Sequence, residues 1–436
     1  MRRISVSPST LFVLTVVLLG LAGCDGFPVS GNGNENENRN GDTDLLDIVD
    51  TGWSIGSWSI LRVSDRFLAY RSADDVATVY DIQTDTVMDV PTPEDAADSH
   101  EWHFYNDFAV AGSWVILAGP DDTTTDDNIY AFHALDPDAG TQRVGEVKLL
   151  CSIYSHGDHI HSDGGDIVAF MTSDRQLGWV DVSVDQLSAS VFNREGDYAT
   201  NMRVNGAKIA VIDTTEERND ILIFDTTTPD ADPQVFTSTN VSYRYSLVYE
   251  GDYILFVGYD ILSILNVTNG TIYRTDLEVR GGEQLYHSGS IDIDGGVFCG
   301  FTRDGHTGAN YQSFIGHVGN INPTDGSNAY TLVQDEYPRP PYRAFAGWGT
   351  TCAVANNGQY VFVAGCGEPY NSMYNSLSVW IDGFAIAETE FDGNYVPDTY
   401  GAVSASGVIM GNGIVFFRLS NGEVDAAATL GYIRLP

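Results

Sequence analysis

The stretch NGAKIAVIDTTEERNDILIFDTTTPDADPQ, from Asn205 to Gln234, decides the fold class of this chain. It contains an Asn-Gly turn, a run of β-forming residues, a polar loop and a second β run that ends at Asp225. Short β runs bounded by such turns are typical of strands, and Asn-Gly is typical of a hairpin. The stretch therefore predicts adjacent antiparallel strands.

The same unit recurs along the chain at intervals of roughly 40 to 60 residues, which is the range of propeller blades. Its turn residue precedes the first β run and stands at Asp65, Gly112, Gly164, Gly206, Gly251, Gly295, Gly358 and Gly413. An apolar residue stands four residues before each turn residue, at Leu61, Phe108, Ile160, Met202, Leu247, Ile291, Val354 and Ile409. Another stands three residues after it, at Leu68, Val115, Ile167, Ile209, Ile254, Phe298, Val361 and Phe416.

Each unit has room for four strands. A third strand is predicted at segments such as Ile221–Phe224, and a fourth after turns such as Asn266–Gly270. Repeated four-stranded units that pack face to face around an axis form a β-propeller. We predict an all-β fold, a β-propeller of eight four-stranded antiparallel blades, in which the segment Asp44–Asp50 completes the last blade. Seven blades are the alternative if Thr399–Pro436 is a C-terminal appendage, and a pair of β-sandwiches or a β-helix are the alternative folds.

The end of the third strand carries a recurring motif. Ile221–Asp225 followed by Thr226–Asp230 resembles the LVIVD and YVTN types of bacterial propeller repeat, as does Val79–Thr84. The motif departs in two units. His133 stands in place of the expected Asp in one, and His317 and Val318 in the other. The resemblance implies an exported ring with a binding surface, and it supplies no catalytic residue.

The N-terminus has the features of an export signal. Arg2 and Arg3 precede the apolar run Leu11–Ala22, which ends in Leu-Ala-Gly-Cys24. This pattern resembles the lipobox of bacterial lipoproteins. The resemblance implies that residues 1–23 are a signal peptide and that Cys24 carries a lipid anchor, which would place the protein in the cell envelope on the periplasmic or extracellular face. An ordinary secretory signal is the alternative.

Residues 24–43 are rich in Gly, Asn and Glu and contain almost no apolar residue after Val29. Such a segment cannot bury enough surface to fold, so we interpret it as a flexible tether that precedes a propeller over residues 44–436.

The net charge of the chain is −39, from 21 basic and 60 acidic residues. A field of this sign repels nucleic acid and acidic membranes, so we predict no nucleic-acid partner. The charge is typical of a solvated acidic surface, and capture of divalent cations or of a basic partner is the alternative.

Four cysteines follow Cys24 in the chain, at Cys151, Cys299, Cys352 and Cys366. In an exported protein they can form disulfides, and buried thiols are the alternative. A hairpin that turns at Asn357-Gly358 places Cys352 opposite Val363 rather than Cys366.

The fold resemblance implies that one rim of the ring carries both the loops between strands two and three and the connections between blades. Histidine, aromatic and arginine residues gather in these segments, at His103, Tyr286, His287, Arg303, His306, Tyr342, Arg343 and Trp348. The opposite turns contain mostly Asn, Asp, Gly and Thr. This composition suits recognition and predicts a binding face. Aromatic residues that cap the core are the alternative.

Three histidines lie close together in the sequence, at His156, His159 and His161. On a strand, His159 and His161 share one face, opposite to Ile160. They can hold a zinc or manganese ion with His103 or Asp158 as a further ligand. The alternative is a solvated channel lining, because the same positions are polar in other units.

The chain contains neither a nucleophile elbow nor a phosphate-binding loop before a helix. We therefore favour a non-catalytic, membrane-anchored scaffold that binds an envelope protein or glycan. The alternative is a metal-dependent polysaccharide lyase or hydrolase with a histidine-rich site at the channel mouth.

Overall fold

The computed structural model of this protein describes residues between 49 and 434. They are 49–56, 61–74, 76–93, 108–120, 127–149, 159–194, 196, 198, 202–213, 220–237, 247–258, 261–278, 291–304, 313–321, 330–332, 344–345, 350–355, 360–365, 376–381, 384–390, 396–397, 407–409, 414–420 and 428–434. The predicted signal peptide, Cys24 and the tether lie outside them.

Nearly all regular structure in these residues is β-strand. The strands of the first half are β1 (Val49–Ile55), β2 (Arg62–Val63), β3 (Phe67–Arg71), β4 (Ala77–Asp81), β5 (Thr86–Asp89), β6 (Phe108–Ala111), β7 (Trp114–Pro120), β8 (Asp127–His133), β9 (Thr141–Leu149), β10 (Ile160–His161), β11 (Ile167–Met171), β12 (Leu177–Asp181), β13 (Ala189–Val191), β14 (Arg203–Asn205), β15 (Lys208–Asp213), β16 (Asp220–Asp225) and β17 (Gln234–Thr237). One 3-10 turn (Pro137–Ala139) lies between β8 and β9.

The second half continues in the same way. Its strands are β18 (Leu247–Glu250), β19 (Tyr253–Gly258), β20 (Ile261–Asn266), β21 (Thr271–Glu278), β22 (Ile291–Asp294), β23 (Val297–Asp304), β24 (Ser313–Ile321), β25 (Tyr330–Leu332), β26 (Ala344–Phe345), β27 (Thr350–Ala355), β28 (Tyr360–Gly365), β29 (Ser376–Ile381), β30 (Phe384–Glu390), β31 (Val396–Pro397), β32 (Gly407–Ile409), β33 (Ile414–Ser420) and β34 (Ala428–Arg434). No helix among the described residues has the length and apolar character needed to span a bilayer.

Across the described strands, pairing produces eight antiparallel sheets, which we call blades one to eight in chain order. Blades one to five and blade seven are runs of four consecutive strands, such as β14-β15-β16-β17 in blade four. Blade six adds β26, and blade eight combines β31 to β34 with β1. The fifth strand of blade six arises because β25 and β26 pair with different parts of the long strand β24.

The two ends of the propeller meet in blade eight. β1 pairs with β34, from Val49 opposite Tyr432 to Ile55 opposite Ala428. The structure thus confirms that an N-terminal segment completes the last blade. The described strand includes Val49 and Asp50 of the predicted segment Asp44–Asp50 and continues to Ile55, and residues 44–48 lie outside the described residues. The alternative of a C-terminal appendage is wrong, because the segment after Thr399 supplies β32, β33 and β34.

Blade eight also packs on blade one, which closes the ring. Tyr80 of blade one meets Phe416 of blade eight edge to face, with ring centroids 5.9 Å apart. Leu61, Leu68 and Leu430 are buried in the same cluster. The prediction of an all-β propeller is therefore confirmed by the sheet order and by this contact.

The two apolar columns of the repeat form the core between blades. Every column member whose side chain is described is buried, namely Leu61, Phe108, Ile160, Met202, Leu247, Ile291, Val354, Leu68, Val115, Ile167, Ile209, Ile254, Phe298 and Phe416. Neighbouring blades share each cluster. Met202 and Ile209 of blade four, for example, pack with Trp179 of blade three.

The Asp of the recurring motif caps the turn from the third to the fourth strand. Its Oδ1 accepts a hydrogen bond from the backbone N–H two residues later, in the pairs Asp81 with Gln83, Asp181 with Ser183, and Asp225 with Thr227. Asn266 makes the same bond with Thr268. A side chain that accepts this N–H satisfies a turn donor that has no strand partner.

Blades two and six depart from the motif in sequence at this position. In blade two, Nε2 of His133 lies 2.8 Å from Oγ of Ser113, and the imidazole stacks on Trp114 at 4.4 Å. In blade six the equivalent residue is Asn320, which lies opposite Val297, and not His317 as the sequence pattern suggested. The displacement arises because β24 extends beyond His317 to Ile321.

The hairpin of blade seven has the predicted register, with Cys352 opposite Val363. Cys299 is buried in β23. Cys151 and Cys366 lie outside the described residues, so disulfide pairing stays a prediction.

Removing the aromatic contact between blades eight and one should destabilise the ring. Phe416→Ala leaves a cavity in a buried cluster, and we expect the free energy of unfolding to fall by about 3–5 kcal/mol. Urea unfolding of the full chain measures this. Val235→Ala is the control, because Val235 is 50% exposed on β17 and should change stability by less than about 0.5 kcal/mol. Equal losses in the two variants would contradict closure through this contact.

Candidate functional site

The first strands of successive blades lie against one another. β2 neighbours β6, β14 neighbours β18, β18 neighbours β22, and β22 neighbours β27. Each first strand is the edge strand of its own sheet, so one side of its backbone has no partner strand. We call this side the inner edge, and the contact between the first strands of two neighbouring blades an inner seam.

The residue three positions before the turn residue reaches across the inner seam. In blade three, Nδ1 of His161 accepts a hydrogen bond from the backbone N–H of Val204 in blade four, at 3.2 Å. In blade six, Oδ2 of Asp292 accepts one from the N–H of Val354 in blade seven, at 2.7 Å. These side chains satisfy inner-edge donors that no strand pairs with.

The residue immediately before the turn residue, which we call the flank residue, makes a second set of contacts. Ser64 Oγ donates to the carbonyl oxygen of Gly112 at 2.7 Å, and Asn205 Nδ2 donates to that of Gly251 at 2.9 Å. Asp163 instead accepts, from the N–H of Gly206 at 2.6 Å. In each case the flank residue of one blade binds the turn residue of the next.

Charged and titratable groups are buried along the inner edge. Arg203 is 5% exposed and His159 is 1% exposed. Nη1 of Arg203 donates to the carbonyl oxygen of Met202 at 2.7 Å. The propeller thus places a guanidinium group and an imidazole in a region of low water content.

Asp292 shares this environment. Burial raises the pKa of its carboxyl to about 7, and the nearby charge of Asp294 adds to the rise. The N–H groups of Val354 and Ile293 and the guanidinium of Arg203 act in the opposite direction. Arg203 of blade four and Asp292 of blade six therefore attract each other along the inner edge.

Glu250 is the flank residue of blade five. Burial raises the pKa of its carboxyl to about 7, and the charges of Asp294 and Asp163 contribute. All three acids are flank residues, so the turns at this rim place carboxyl groups where their charges act on one another.

Two of the three predicted metal-binding histidines lie among these residues. Ile160 packs between blades two and three, whereas His161 contacts blade four. The two side chains therefore point to opposite faces of the strand, as predicted. Because Nδ1 of His161 accepts a hydrogen bond, the proton of the neutral ring is on Nε2. A metal-bound histidine instead donates through its second nitrogen, so His161 would have to give up its bond to Val204.

Within the described parts of the chain, no three His, Cys, Asp or Glu side chains are close enough to hold an ion. His156 and the further ligands His103 and Asp158 lie outside those parts. The zinc or manganese site therefore stays a prediction. Metal analysis of the full chain beside the His159→Ala/His161→Ala variant decides between an ion site and a channel lining.

The predicted binding rim falls mostly outside the described residues. Arg303 belongs to β23 and lies opposite Phe314 of β24. The other members lie outside, namely His103, Tyr286, His287, His306, Tyr342, Arg343 and Trp348. The binding rim stays a prediction.

The sequence analysis does not predict the inner-seam residues Arg203, Asp292 and Glu250 as site residues. The sequence does contain a pattern that could indicate them, because these polar residues alternate with the apolar positions of the first strand. A polar residue at such a position is equally compatible with a solvated face, and only the packing of neighbouring blades shows that it bridges them.

A separate cavity of about 350 Å³ opens between blades three and four. It is lined by Phe192, Asn193, Arg194, Phe224 and the segment 229–233. Nη2 of Arg194 lies 3.9 Å from Oδ2 of Asp213, which is a long ion pair at a partly exposed position.

No family model matches the chain, and no curated protein matches it. Several solved structures are similar in shape. BamB from Moraxella catarrhalis is 11% identical, with 89% of this chain and 99% of that chain covered and a TM-score of 0.46. The propeller domain of the Trilobed protease from Pyrococcus furiosus, described as having an open velcro topology, is 12% identical, with 86% and 93% covered and a TM-score of 0.41.

The WD40 domain of SCAP from fission yeast is 9% identical, with 89% and 98% covered and a TM-score of 0.48. At these scores the likenesses carry no conclusion about the function of this chain. The assignment of its fold rests on its own sheet order and ring closure.

The carboxyl of Asp292 should make stability depend on pH. Its pKa is higher in the folded than in the unfolded chain, so its favourable contribution is complete below about pH 4 and is lost as pH rises through 7. Asn keeps an acceptor for the Val354 N–H and does not ionise. We therefore expect Asp292→Asn to raise the free energy of unfolding at pH 8.5 by on the order of 2 kcal/mol and to change it little at pH 4.

Urea unfolding of the full chain at the two pH values measures this difference. Asp230→Asn is the matched control, because it removes one carboxyl from an exposed turn and changes net charge equally. An equal effect of Asp292→Asn at both pH values would refute the assignment.

Proposed function

We propose that this protein is an exported, lipid-anchored β-propeller that serves as a non-catalytic scaffold and binds an envelope protein. The binding surface is the rim from which the connections between blades emerge, which we call the loop rim. The opposite rim, with the turns from first to second and from third to fourth strands, is called the turn rim. The proposal rests on the difference between these two rims.

On the turn rim, the turns between first and second strands are short and bind one another. Only Gly112 and Ser113 separate β6 from β7, and only Gly206 and Ala207 separate β14 from β15. The flank residues and the motif Asp residues engage the backbone groups of these turns. The backbone groups bound in this way are not available to a partner.

The loop rim receives longer connections. One runs from Asp89 at the end of β5 to Phe108 at the start of β6, and another runs from Leu332 of β25 to Thr350 of β27 by way of β26. These two connections contain His103, Tyr342, Arg343 and Trp348 in the sequence. Trp, Tyr and Arg are the residues that most often dominate binding energy at protein interfaces, which favours a protein partner over a glycan.

The polar groups described along the inner edge support a scaffold rather than a catalyst. His161 and Asp292 have their acceptor atoms engaged by backbone N–H groups of the next blade. A side chain that holds two blades together in this way is a poor proton carrier, because each transfer would break an inter-blade bond.

The N-terminal pattern supports anchoring through Cys24. The tether that follows would let the propeller stand away from the bilayer, and a net charge of −39 would keep it from adhering to an anionic surface. The loop rim would then be accessible to a partner in the same compartment.

Site-specific photo-crosslinking in the producing cells tests the proposal. A photoreactive phenylalanine analogue replaces Tyr342 or Trp348 in the full chain, and the controls carry it at Thr227 or Thr268 on the turn rim. We expect a discrete higher-mass protein adduct from the two loop-rim positions only. Equal adducts from both rims, or none from the loop rim, would count against it. A diffuse adduct sensitive to glycosidase would instead identify a glycan.

The same cells test the anchor. Cys24→Ser should move the protein from the membrane fraction to the soluble fraction, because the lipidated sulfur is lost. Retention at the membrane at the wild-type level would rule out anchoring through Cys24.

A further inference from the structure

The turn from the third to the fourth strand of blade four is longer than the corresponding turns of blades one and five. Residues 226–233 separate β16 from β17, whereas residues 82–85 separate β4 from β5 and residues 267–270 separate β20 from β21. The longer turn includes the segment 229–233, which lines the cavity of about 350 Å³ between blades three and four. The cavity is therefore built by residues that the shorter turns of the repeat do not have.

This wall of the cavity is stabilised by its own backbone. Thr228 N–H donates to the carbonyl oxygen of Asp225 at 3.1 Å, and Ala231 N–H donates to that of Thr228 at 2.9 Å. Pro229 and Pro233 restrict the backbone at the two ends of the lining segment. A wall that is ordered before a ligand arrives loses little conformational entropy on binding, which favours a preformed site.

Two aromatic residues from the core between the blades also line the cavity. They are Phe192, which follows β13 of blade three, and Phe224 of β16. Their ring centroids lie 4.8 Å apart, and Phe192 packs on Trp179 with centroids 4.3 Å apart. Both phenylalanine side chains are buried, so the cavity has a fixed apolar base.

Both signs of charge line the cavity. Arg194 follows β13 of blade three, and Asp230 and Asp232 belong to the long turn of blade four. Nη2 of Arg194 is 3.9 Å from Oδ2 of Asp213, whereas a charge-assisted hydrogen bond measures about 2.7–2.9 Å, so guanidinium donors are available to another acceptor. Within the part of the chain that the structure describes, neither Asp230 nor Asp232 has a hydrogen bond or an ion pair.

These charges favour a ligand that carries both signs. A simple anion would be repelled by the two carboxylates, and a simple cation would be repelled by the guanidinium. An amino acid or a dipeptide at neutral pH has an ammonium group that suits the carboxylates and a carboxylate that suits the guanidinium. The cavity volume of about 350 Å³ lies at the lower end of the range of small-molecule sites, so it suits a ligand of this size.

We propose that this cavity binds a small zwitterion, namely a free amino acid or a dipeptide. Asp230 and Asp232 bind its ammonium group, Arg194 binds its carboxylate, and its apolar part packs against the phenylalanine base. One wall of the site belongs to the turn rim, so the proposal does not depend on the partner proposed for the loop rim.

Isothermal titration calorimetry of the full chain at pH 7 tests the proposal, with L-leucine and dialanine as probes. We expect saturable binding of at least one probe with a Kd below about 1 mM. Each bound probe is compared with its N-acetylated form, which lacks the ammonium group, and with its amide, which lacks the carboxylate. Both blocked forms should bind about tenfold more weakly or worse, because each leaves charged groups of the site without a partner.

Substitutions in the cavity test the same assignment from the side of the protein. Arg194→Gln should weaken binding of the probe about tenfold or more, and so should Asp230→Asn/Asp232→Asn. In addition, Arg194→Gln should remove the preference for the free carboxylate over the amide, whereas the double Asp variant should retain it. Urea unfolding of each variant shows whether the fold is kept.

The matched controls remove the same charges from exposed positions outside the cavity. They are Lys208→Gln for the cation and Asp138→Asn/Asp185→Asn for the two acids. We expect their affinities for the probe to stay within about twofold of wild type, because exposed charges at a distance act weakly through water.

Three outcomes would overturn the proposal. The first is that the wild-type chain binds neither probe in a saturable manner. The second is that the blocked forms bind as well as the free probe, or that the folded cavity variants bind as wild type does. The third is a saturable response to calcium chloride or glucose that the cavity variants abolish, without one to the zwitterions, which would identify a cation or saccharide site instead.

Discussion

Each blade of this protein has two apolar faces, and neither can be buried within the blade itself. Phe108 and Val115 of blade two need blade one, and Met202 and Ile209 of blade four need blade three. The hydrophobic contribution to stability is therefore obtained only when neighbours are in place, and it is complete only when the ring closes. The pairing of β1 with β34 and the packing of Tyr80 against Phe416 supply that closure.

Packing the blades around an axis creates a second requirement. The first strand of every blade presents an edge to the centre, and its backbone groups have no partner strand. His161, Asp292, Ser64, Asn205 and Asp163 satisfy part of this edge by reaching to the next blade. The same bonds that satisfy the edge also set the register between blades.

Building these bonds from titratable side chains in an acidic protein has an electrostatic consequence. Asp292 and Glu250 are partly buried near other carboxylates, so both hold their protons more tightly than in water. We therefore expect the stability of the ring to depend on pH near neutrality, because Asp292 also bonds to blade seven. A fold whose inner seams used only Ser and Asn would lack this linkage.

The sequence by itself determined the class of fold, because two apolar columns at fixed distances from a Gly or Asp turn can be buried only in repeated packed hairpins. It also determined the register of hairpins such as that of Cys352 and Val363, since a two-stranded register follows from its turn. The sequence predicted the C-terminal end of β1 and the motif position of blade six less accurately. The strand continues to Ile55, and Asn320 occupies the motif position, because strand length depends on the partner strand.

Only the tertiary structure decided the role of the polar residues between the apolar positions. Arg203, Asp292 and Glu250 are compatible, in sequence, with a solvated face, and His161 with a metal ligand. Their partners lie one or more blades away, at a separation along the chain that local spacing does not encode. The physical reason is that burial and hydrogen bonding at an inner seam arise from two blades at once, and neither blade's sequence specifies what the other will place there.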